Sequence, residues 1–256
     1  MRNQTWRFVA LAAAIAIAAG GACSRKDSGM ARAQQAGASD SDNMGSMGSM
    51  SSANAMANGV EYTIVLKSSW TAARFPFEYP EAGTFTGPHF SGLIGAAHNP
   101  SYSIFAVGSR PTPGLEKLSE EGKHTPLDGE IRAAIQAGSA AALVESGPLR
   151  DFKDSLVATV RVDADHPLVS LVAMIAPSPD WFTGVSNVNL RENGAWVASR
   201  TLDLWAYDSG GDDGTTYKAA DQDNNPKKPT SQNRDRHFAP GGTALAVGTV
   251  TITRKP

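Results

Sequence analysis

Leu168-Val169-Ser170-Leu171-Val172-Ala173-Met174-Ile175, running on through Ala176 into Pro177-Ser178-Pro179-Asp180-Trp181-Phe182-Thr183-Gly184-Val185, is the stretch that decides the fold. Its first eight residues are almost continuously apolar, as in a central strand buried on its inner face and flanked closely. Two prolines and a serine break the run, and apolar residues resume after Asp180. Working outward, Val60 to Leu66 alternates in strand fashion, with Val60, Tyr62, Ile64 and Leu66 on one face. Leu156 to Asp163 repeats the pattern through Leu156, Ala158, Val160 and Val162. Val185–Leu190, Trp196–Tyr207 and Ala244–Arg254 are further strand candidates. Two helical pieces interrupt them. One runs from Pro113 to Glu121, with Thr112 as N-cap, proline at the first helical position and Gly122 as stop. The other runs from Asp128 to Ala137, with Ile131, Ala134 and Ile135 at helical spacing and Gly138 after it. Strands, then helices, then strands predict an all-β fold with minor helices, an antiparallel β-sandwich carrying a short helical excursion.

Composition narrows the class. In 256 residues, 41% are hydrophobic, enough for one core. A net charge of −2 gives no basic stripe for nucleic acid. The single cysteine, Cys23, excludes an intrachain disulfide, so the core stands on packing alone.

Residues 1–22 read as an export signal. Arg2 and Arg7 precede or flank an apolar run from Phe8 to Ala19, too short to span a bilayer. Without those two arginines the net charge moves from −2 to −4. Cys23 follows Gly20-Gly21-Ala22. It is either the lipid-modified first residue of a bacterial lipoprotein or the neighbour of a simple cleavage site. Residues 23–58 form a disordered Ser/Met/Gly-rich linker, with the repeat Met44-Gly45-Ser46-Met47-Gly48-Ser49-Met50 and no aromatic residue from Ser24 to Asn58. About 35 flexible residues span roughly 30–35 Å, enough to hold a domain off a membrane. Thioether capture of copper(I) is the other reading of the methionines. The folded domain then occupies residues 59–256.

Three aspartates carry the chemistry. Asp180 lies between Pro179 and Trp181, and Asp208 and Asp212 lie in Asp208-Ser209-Gly210-Gly211-Asp212-Asp213-Gly214. Each stands where a strand-like run gives way to turn residues. Carboxylates gathered at strand ends repel unless a cation sits between them, and a hard ion such as calcium suits them. Three monodentate carboxylates supply at most half of its shell, leaving carbonyls and water for the rest. The alternative is turn-forming aspartates that accept backbone N–H groups. An EF-hand is excluded, because the sixth position from Asp208 is Asp213 and the twelfth is Ala219. In the second acidic stretch, Asp221 to Pro226, proline takes the sixth position. A second ion near Asp221 and Asp223 is left open, and Asp213 reads as a solvated neighbour. His89 and His98 lie nine apart without a third zinc ligand, so structural hydrogen bonds are expected of them. His124, His166 and His237 are expected to be exposed. Glu120 and Glu121 read as a solvated helix face. No Gly-x-Ser-x-Gly elbow or nucleophile–base pair stands out.

These runs resemble the spondin N-terminal (F-spondin) domain family, as an exported bacterial single-domain member. The resemblance rests on Tyr62, Trp70 and Phe75-Pro76, then on His89-Phe90-Ser91-Gly92-Leu93-Ile94-Gly95-Ala96-Ala97-His98-Asn99 with Tyr102. Gly108, Gly114, Leu118, Gly122, Leu127 and Glu130 follow, and the two aspartate runs complete it over some 190 residues. It implies a C2-like antiparallel sandwich binding one calcium ion through loops at one end, with the metal aspartates at Asp180, Asp208 and Asp212. The chain departs from the family at Trp205-Ala206-Tyr207, where Tyr-Pro-Trp is commoner, and at Gly211, where threonine is common. Animal members carry cysteines in this domain and usually thrombospondin repeats after it, so their matrix partners do not transfer. The expected function is a non-catalytic calcium-binding module, exported and membrane-tethered through Cys23, acting in cell-surface binding or adhesion toward an unidentified ligand. Its expected location is the bacterial envelope, as an outer-membrane lipoprotein or in the periplasm, or the medium. An envelope protein with a purely structural calcium, and a calcium-dependent hydrolase of an envelope polymer, are the alternatives.

Overall fold

Residues 59–81, 87–147 and 155–256 are described by the computed structural model of the chain. The signal segment 1–22, Cys23 and the linker 23–58 lie outside the described residues. In chain order the elements are β1 (Val60–Ser68), β2 (His89–Phe90), β3 (Ile94–His98), α1 (Pro113–Glu121), α2 (Leu127–Gln136), β4 (Ala140–Glu145), β5 (Ser155–Val162), β6 (Leu168–Ala176) and β7 (Trp181–Asn189). Then follow β8 (Arg191–Glu192), β9 (Ala195–Trp196), β10 (Ser199–Asp208), β11 (Ser231–Gln232) and β12 (Gly248–Arg254).

Among the described residues the strands form one ten-stranded antiparallel system in the order β4-β3-β6-β7-β10-β12-β1-β5, with β2 added to β6 and β11 to β10. Its end strands β4 and β5 lie against each other, so the sheet folds over into a sandwich that nearly closes. The expected all-β architecture with minor helices is the observed one. β10 makes the corner. Its first part, Ser199–Leu204, pairs with β12, and its last part, Trp205–Asp208, pairs with β7. β10 therefore runs longer than the expected strand at its C-terminal end, while Trp196 belongs to the small β8–β9 hairpin.

The apolar run of β6 is explained by burial on both faces. Val169, Leu171, Ala173 and Ile175 point into the core between the sheets, with Tyr62, Ile64, Leu66, Trp181 and Phe238. Val172 points the other way, into a second cluster with Ile94, Phe105, Leu115, Leu118, Ile131 and Phe182, where α1 and α2 cover the sheet. Trp181 and Phe182, at 1% and 0% exposure, are thus core residues of the two clusters. His98 is structural as expected. Its Nδ1–H donates to the Asn99 carbonyl (2.8 Å) and its Nε2 meets Ser170 Oγ (2.8 Å), which accepts the Asn187 N–H across a register shift between β6 and β7. Burial holds its pKa down, in keeping with a neutral ring.

Helix α1 begins and ends where the sequence predicts. Thr112 Oγ1 accepts the Leu115 N–H, and Gly122, at φ 66°, closes the helix with its N–H on the Leu118 carbonyl (2.8 Å). Thr112 also donates to Glu130 Oε2 (2.6 Å), whose Oε1 accepts the Gly114 N–H (2.7 Å), tying α1 to α2. Thr112→Ala is expected to lower unfolding stability by about 1–2 kcal/mol, and Thr112→Ser by clearly less, as read from urea midpoints.

The registers also fix the polarity of the domain. Tyr62 pairs with Arg254 and Ser199 with Thr253, whereas Leu204 pairs with Gly248. The entry of the chain into β1 and its exit from β12 therefore share one end of the sandwich. β10 carries Asp208 past Gly248 to the other end.

Candidate metal centre

At that far end Asp208, the last residue of β10, pairs across the sheet with Trp181, the first of β7, so Asp180 is its diagonal neighbour. Asp180 is fully buried. Its Oδ2 accepts three donors: Ser209 Oγ–H (2.8 Å), Gly211 N–H (2.8 Å) and Asp212 N–H (3.2 Å). Its main-chain carbonyl accepts the Ser209 N–H (3.2 Å). Asp180 thereby organises the whole 208–212 turn. Its other oxygen, Oδ1, is buried and has no hydrogen-bond partner.

A buried carboxylate oxygen left alone costs free energy unless a cation or proton meets it. Burial pushes the Asp180 carboxyl pKa up, against the pull of Ser209 and the backbone donors. Asp208 responds in the same sense. Burial first, and the Asp180 charge second, raise its pKa to about 6, although Oδ1 accepts the Gly210 N–H (2.9 Å). Asp212 is also buried, but each of its oxygens already takes a backbone N–H, from Gly214 and Gln222. Of the three expected ligands, the fold therefore places Asp180 and Asp208 side by side. Asp212 lends its N–H to Asp180 and turns its carboxylate into its own loop. Asp213 is exposed and paired with Lys228.

The acidic surroundings are wider than the sequence suggests. The stretch 221–226 folds back on the turn, with an Asp212–Asp223 bridge, Asn224 N–H on the Gly211 carbonyl (2.8 Å) and Lys228 N–H on the Gly210 carbonyl (2.9 Å). Gly210 sits at φ 85°, and a Cβ there would lie 2.2 Å from the Lys228 carbonyl oxygen, so glycine is required. A Cβ on Gly211 would come within 3.0 Å of Glu120 Oε1 and 3.2 Å of Glu116 Cγ. Helix α1 thus brings Glu116 and Glu120, one turn apart, down onto the aspartate turn.

This corrects the reading of Glu120 and Glu121 as one solvated face. Glu121 is exposed and paired with Lys117 (2.6 Å) and Lys123 (2.5 Å). Glu120 is half-buried, and burial, then Glu116, and further off Asp180, raise its pKa to about 7. Glu116, Glu120 and Asp223 bring carboxylate oxygens within 4.8 Å of one another, which Asp180, Asp208 and Asp212 do not do as a trio among the described residues. The residue types fit a hard, oxygen-loving cation: an orphaned buried carboxylate oxygen, a second carboxylate beside it, and Glu120 of α1 against the neighbouring Gly211.

The expectation that His237 is exposed is also corrected. The ring is 3% exposed, packed on Phe77, Trp181 and Tyr217, with Nδ1 on Asp235 (2.9 Å) and Nε2 on Glu78 (3.3 Å). Burial pulls its pKa down, but the two carboxylates outweigh it and the net shift is upward. His124 and His166 are half-buried, on Glu145 and Asp163. His89 donates from Nδ1 to the Gly87 carbonyl (2.7 Å) and faces His124 across a surface pocket, rather than His98.

Known proteins match this domain as a unit. The Spondin_N family model covers residues 60–239. Human Spondin-2 is 36% identical over 173 residues, 67% of this chain and 50% of that protein. Rat Spondin-2 is 35% identical over 160 residues, and rat Spondin-1 is 29% identical over 176 residues, 20% of its length. The chain thus spans about half of the Spondin-2 relatives and a smaller part of Spondin-1. The match ends before β12, yet β12 lies between β10 and β1 and completes the sheet. With well over half of its residues under that one family model, and the histidine–glycine block and both aspartate runs set in a single sandwich, the chain belongs to the spondin N-terminal domain family.

Proposed function

We propose that the protein is an exported, non-catalytic binding module of the cell surface, acting in adhesion, whose far-end loops are ordered by one calcium ion. The observation that carries the metal is the buried, unpartnered Oδ1 of Asp180 beside Asp208. Asp180 and Asp208 would hold the ion, with Glu120 opposite. Asp212 would join only by adding the ion to the two backbone bonds its carboxylate already accepts, which its remaining lone pairs allow. Calcium here neutralises the carboxylates and stiffens the turn; it takes no part in a reaction. Export follows from the N-terminal sequence pattern and from kinship with the spondins, and Cys23 would supply a lipid tether.

Calorimetric titration of the protein with calcium should show one ion per chain. Binding should be lost in Asp180→Asn and weakened at least tenfold in Asp208→Asn and Glu120→Gln, with a smaller loss in Asp212→Asn. At 100-fold excess over the dissociation constant the ion should stabilise the fold by about 2.7 kcal/mol. Absence of both heat and melting shift at millimolar calcium would remove the metal from the proposal. Calcium-dependent retention on cell-surface material separates a binding role from a purely structural calcium.

A further inference from the structure

Lys227 stands inside the acidic group rather than outside it. Its Nζ bonds Glu116 Oε1 (2.8 Å) and Asp223 Oδ1, and donates to the Gly211 carbonyl at 3.3 Å. Glu116 and Asp223 are two of the three carboxylates whose oxygens converge within 4.8 Å, and the third is Glu120. Oxygens that lie within 4.8 Å of one another are close enough to reach one calcium, each about 2.4 Å from it. Three carboxylates and a main-chain carbonyl are the ligand types of a hard divalent cation, and here an ammonium already touches two of the carboxylates and the carbonyl. The neighbouring Asp180 supplies the independent sign that this end of the domain is short of positive charge. Its Oδ1 is buried without a hydrogen-bond partner, while Lys227 is committed to Glu116 and Asp223 and Lys228 to Asp213.

We propose that Lys227 is a built-in cation that sets the metal stoichiometry. Its ammonium fills the second cation position, formed by Glu116, Glu120, Asp223 and the Gly211 carbonyl, and so limits the cluster to one divalent ion. This rests on the reading of the Asp180–Asp208 site as a calcium site. Glu120 is the shared wall. It belongs to the Lys227 trio, and its Oε1 lies against Gly211, whose N–H donates to Asp180, so the charge held by the trio bears on the ion. With lysine present, a second calcium would have to expel the ammonium from Glu116, Asp223 and the Gly211 carbonyl. Arginine would preserve the charge, whereas methionine keeps the stem and removes it.

The test is calcium and terbium stoichiometry, by calorimetry and by native mass spectrometry, on the protein and on Lys227→Met, Lys227→Gln and Lys227→Arg. Two bound ions in the methionine and glutamine variants, against one in the wild type and the arginine variant, is the expected result. A methionine variant that binds one ion with unchanged affinity overturns the proposal while leaving the calcium site intact. A wild type that binds none overturns the site itself. If Lys227→Met fails to fold without metal but folds with calcium, as followed by near-ultraviolet dichroism, the divalent ion has replaced the ammonium. Failure to fold in both conditions, in the glutamine variant as well, would make Lys227 a structural ion-pair residue and sink the proposal.

Discussion

Asp180→Ala is expected to lower unfolding stability by about 3–5 kcal/mol, while Asp180→Asn leaves the metal-free fold as stable as wild type or more so. Alanine strips the acceptor from Ser209 Oγ–H and from the Gly211 and Asp212 N–H groups, all buried. Each orphaned buried donor costs about 1–3 kcal/mol, with some relief as the serine hydroxyl turns away and as the Gly211 N–H keeps Ser209 Oγ (3.2 Å) as an acceptor. For a domain of this size that corresponds to a fall in melting temperature of roughly 10 °C or more. Asparagine keeps a carbonyl oxygen for the same three donors. In place of the lone Oδ1 it puts an amide that can donate, and it removes one negative charge from beside Asp208 and Glu120. The two variants therefore separate two roles that wild-type Asp180 combines. Both should lose the calcium-induced melting shift, and only alanine should lose the fold's own stability. If asparagine destabilises as much as alanine, Asp180 serves the fold through its charge and the metal reading loses its anchor.

Calcium affinity is expected to fall on the order of 100-fold between pH 7.5 and pH 5.5, because the apo site holds protons where the ion would bind. Glu120 at about 7 and Asp208 at about 6 both stand above their ordinary values, and the shift of Asp180 has the same direction. The sign for stability follows. The folded state binds protons more tightly than the unfolded state at these groups, so between about pH 4 and pH 7 their contribution to metal-free stability declines as pH rises. Saturating calcium should invert that slope, since the ion takes over the neutralising role only once the protons have left. Melting curves with calcium and with chelator across this range should therefore converge at acid pH and diverge toward neutrality. Parallel curves would show that the raised carboxylates and the ion do not share a site.

The sandwich was legible in the sequence because its strands announce themselves locally. Tyr62, Ile64 and Leu66 alternate, β6 is unbroken because it is covered on both faces, and Thr112, Pro113 and Gly122 punctuate α1. Boundaries that depend on distant partners were less legible. β7 begins at Trp181 rather than Val185 because Trp181 to Gly184 pair with the end of β10, a pairing no local pattern in Phe182-Thr183-Gly184 declares. The site was half legible. Asp180 and Asp208 sit in turn contexts that mark them, but Glu120 reads as surface until the fold lays α1 over Gly211. The one local hint was the pair Glu116 and Glu120, like charges one turn apart on a helix whose opposite face carries Leu115 and Leu118. His237 was misjudged for the same reason, since its partner Glu78 is 159 residues away.

The placement of β10 in both sheets has a mechanical meaning. A domain tethered where the chain enters β1, and gripped at the Asp208 end, would feel tension along its strands rather than across them. The ladders joining β1, β12 and β10 would then be strained in shear, all their rungs at once, instead of opening one rung at a time like a zipper. Under steady pull, lifetime is set by the rate of unfolding rather than by equilibrium stability. A clamp on the Asp180–Asp208 corner would lengthen that lifetime at the point where the pull enters the protein.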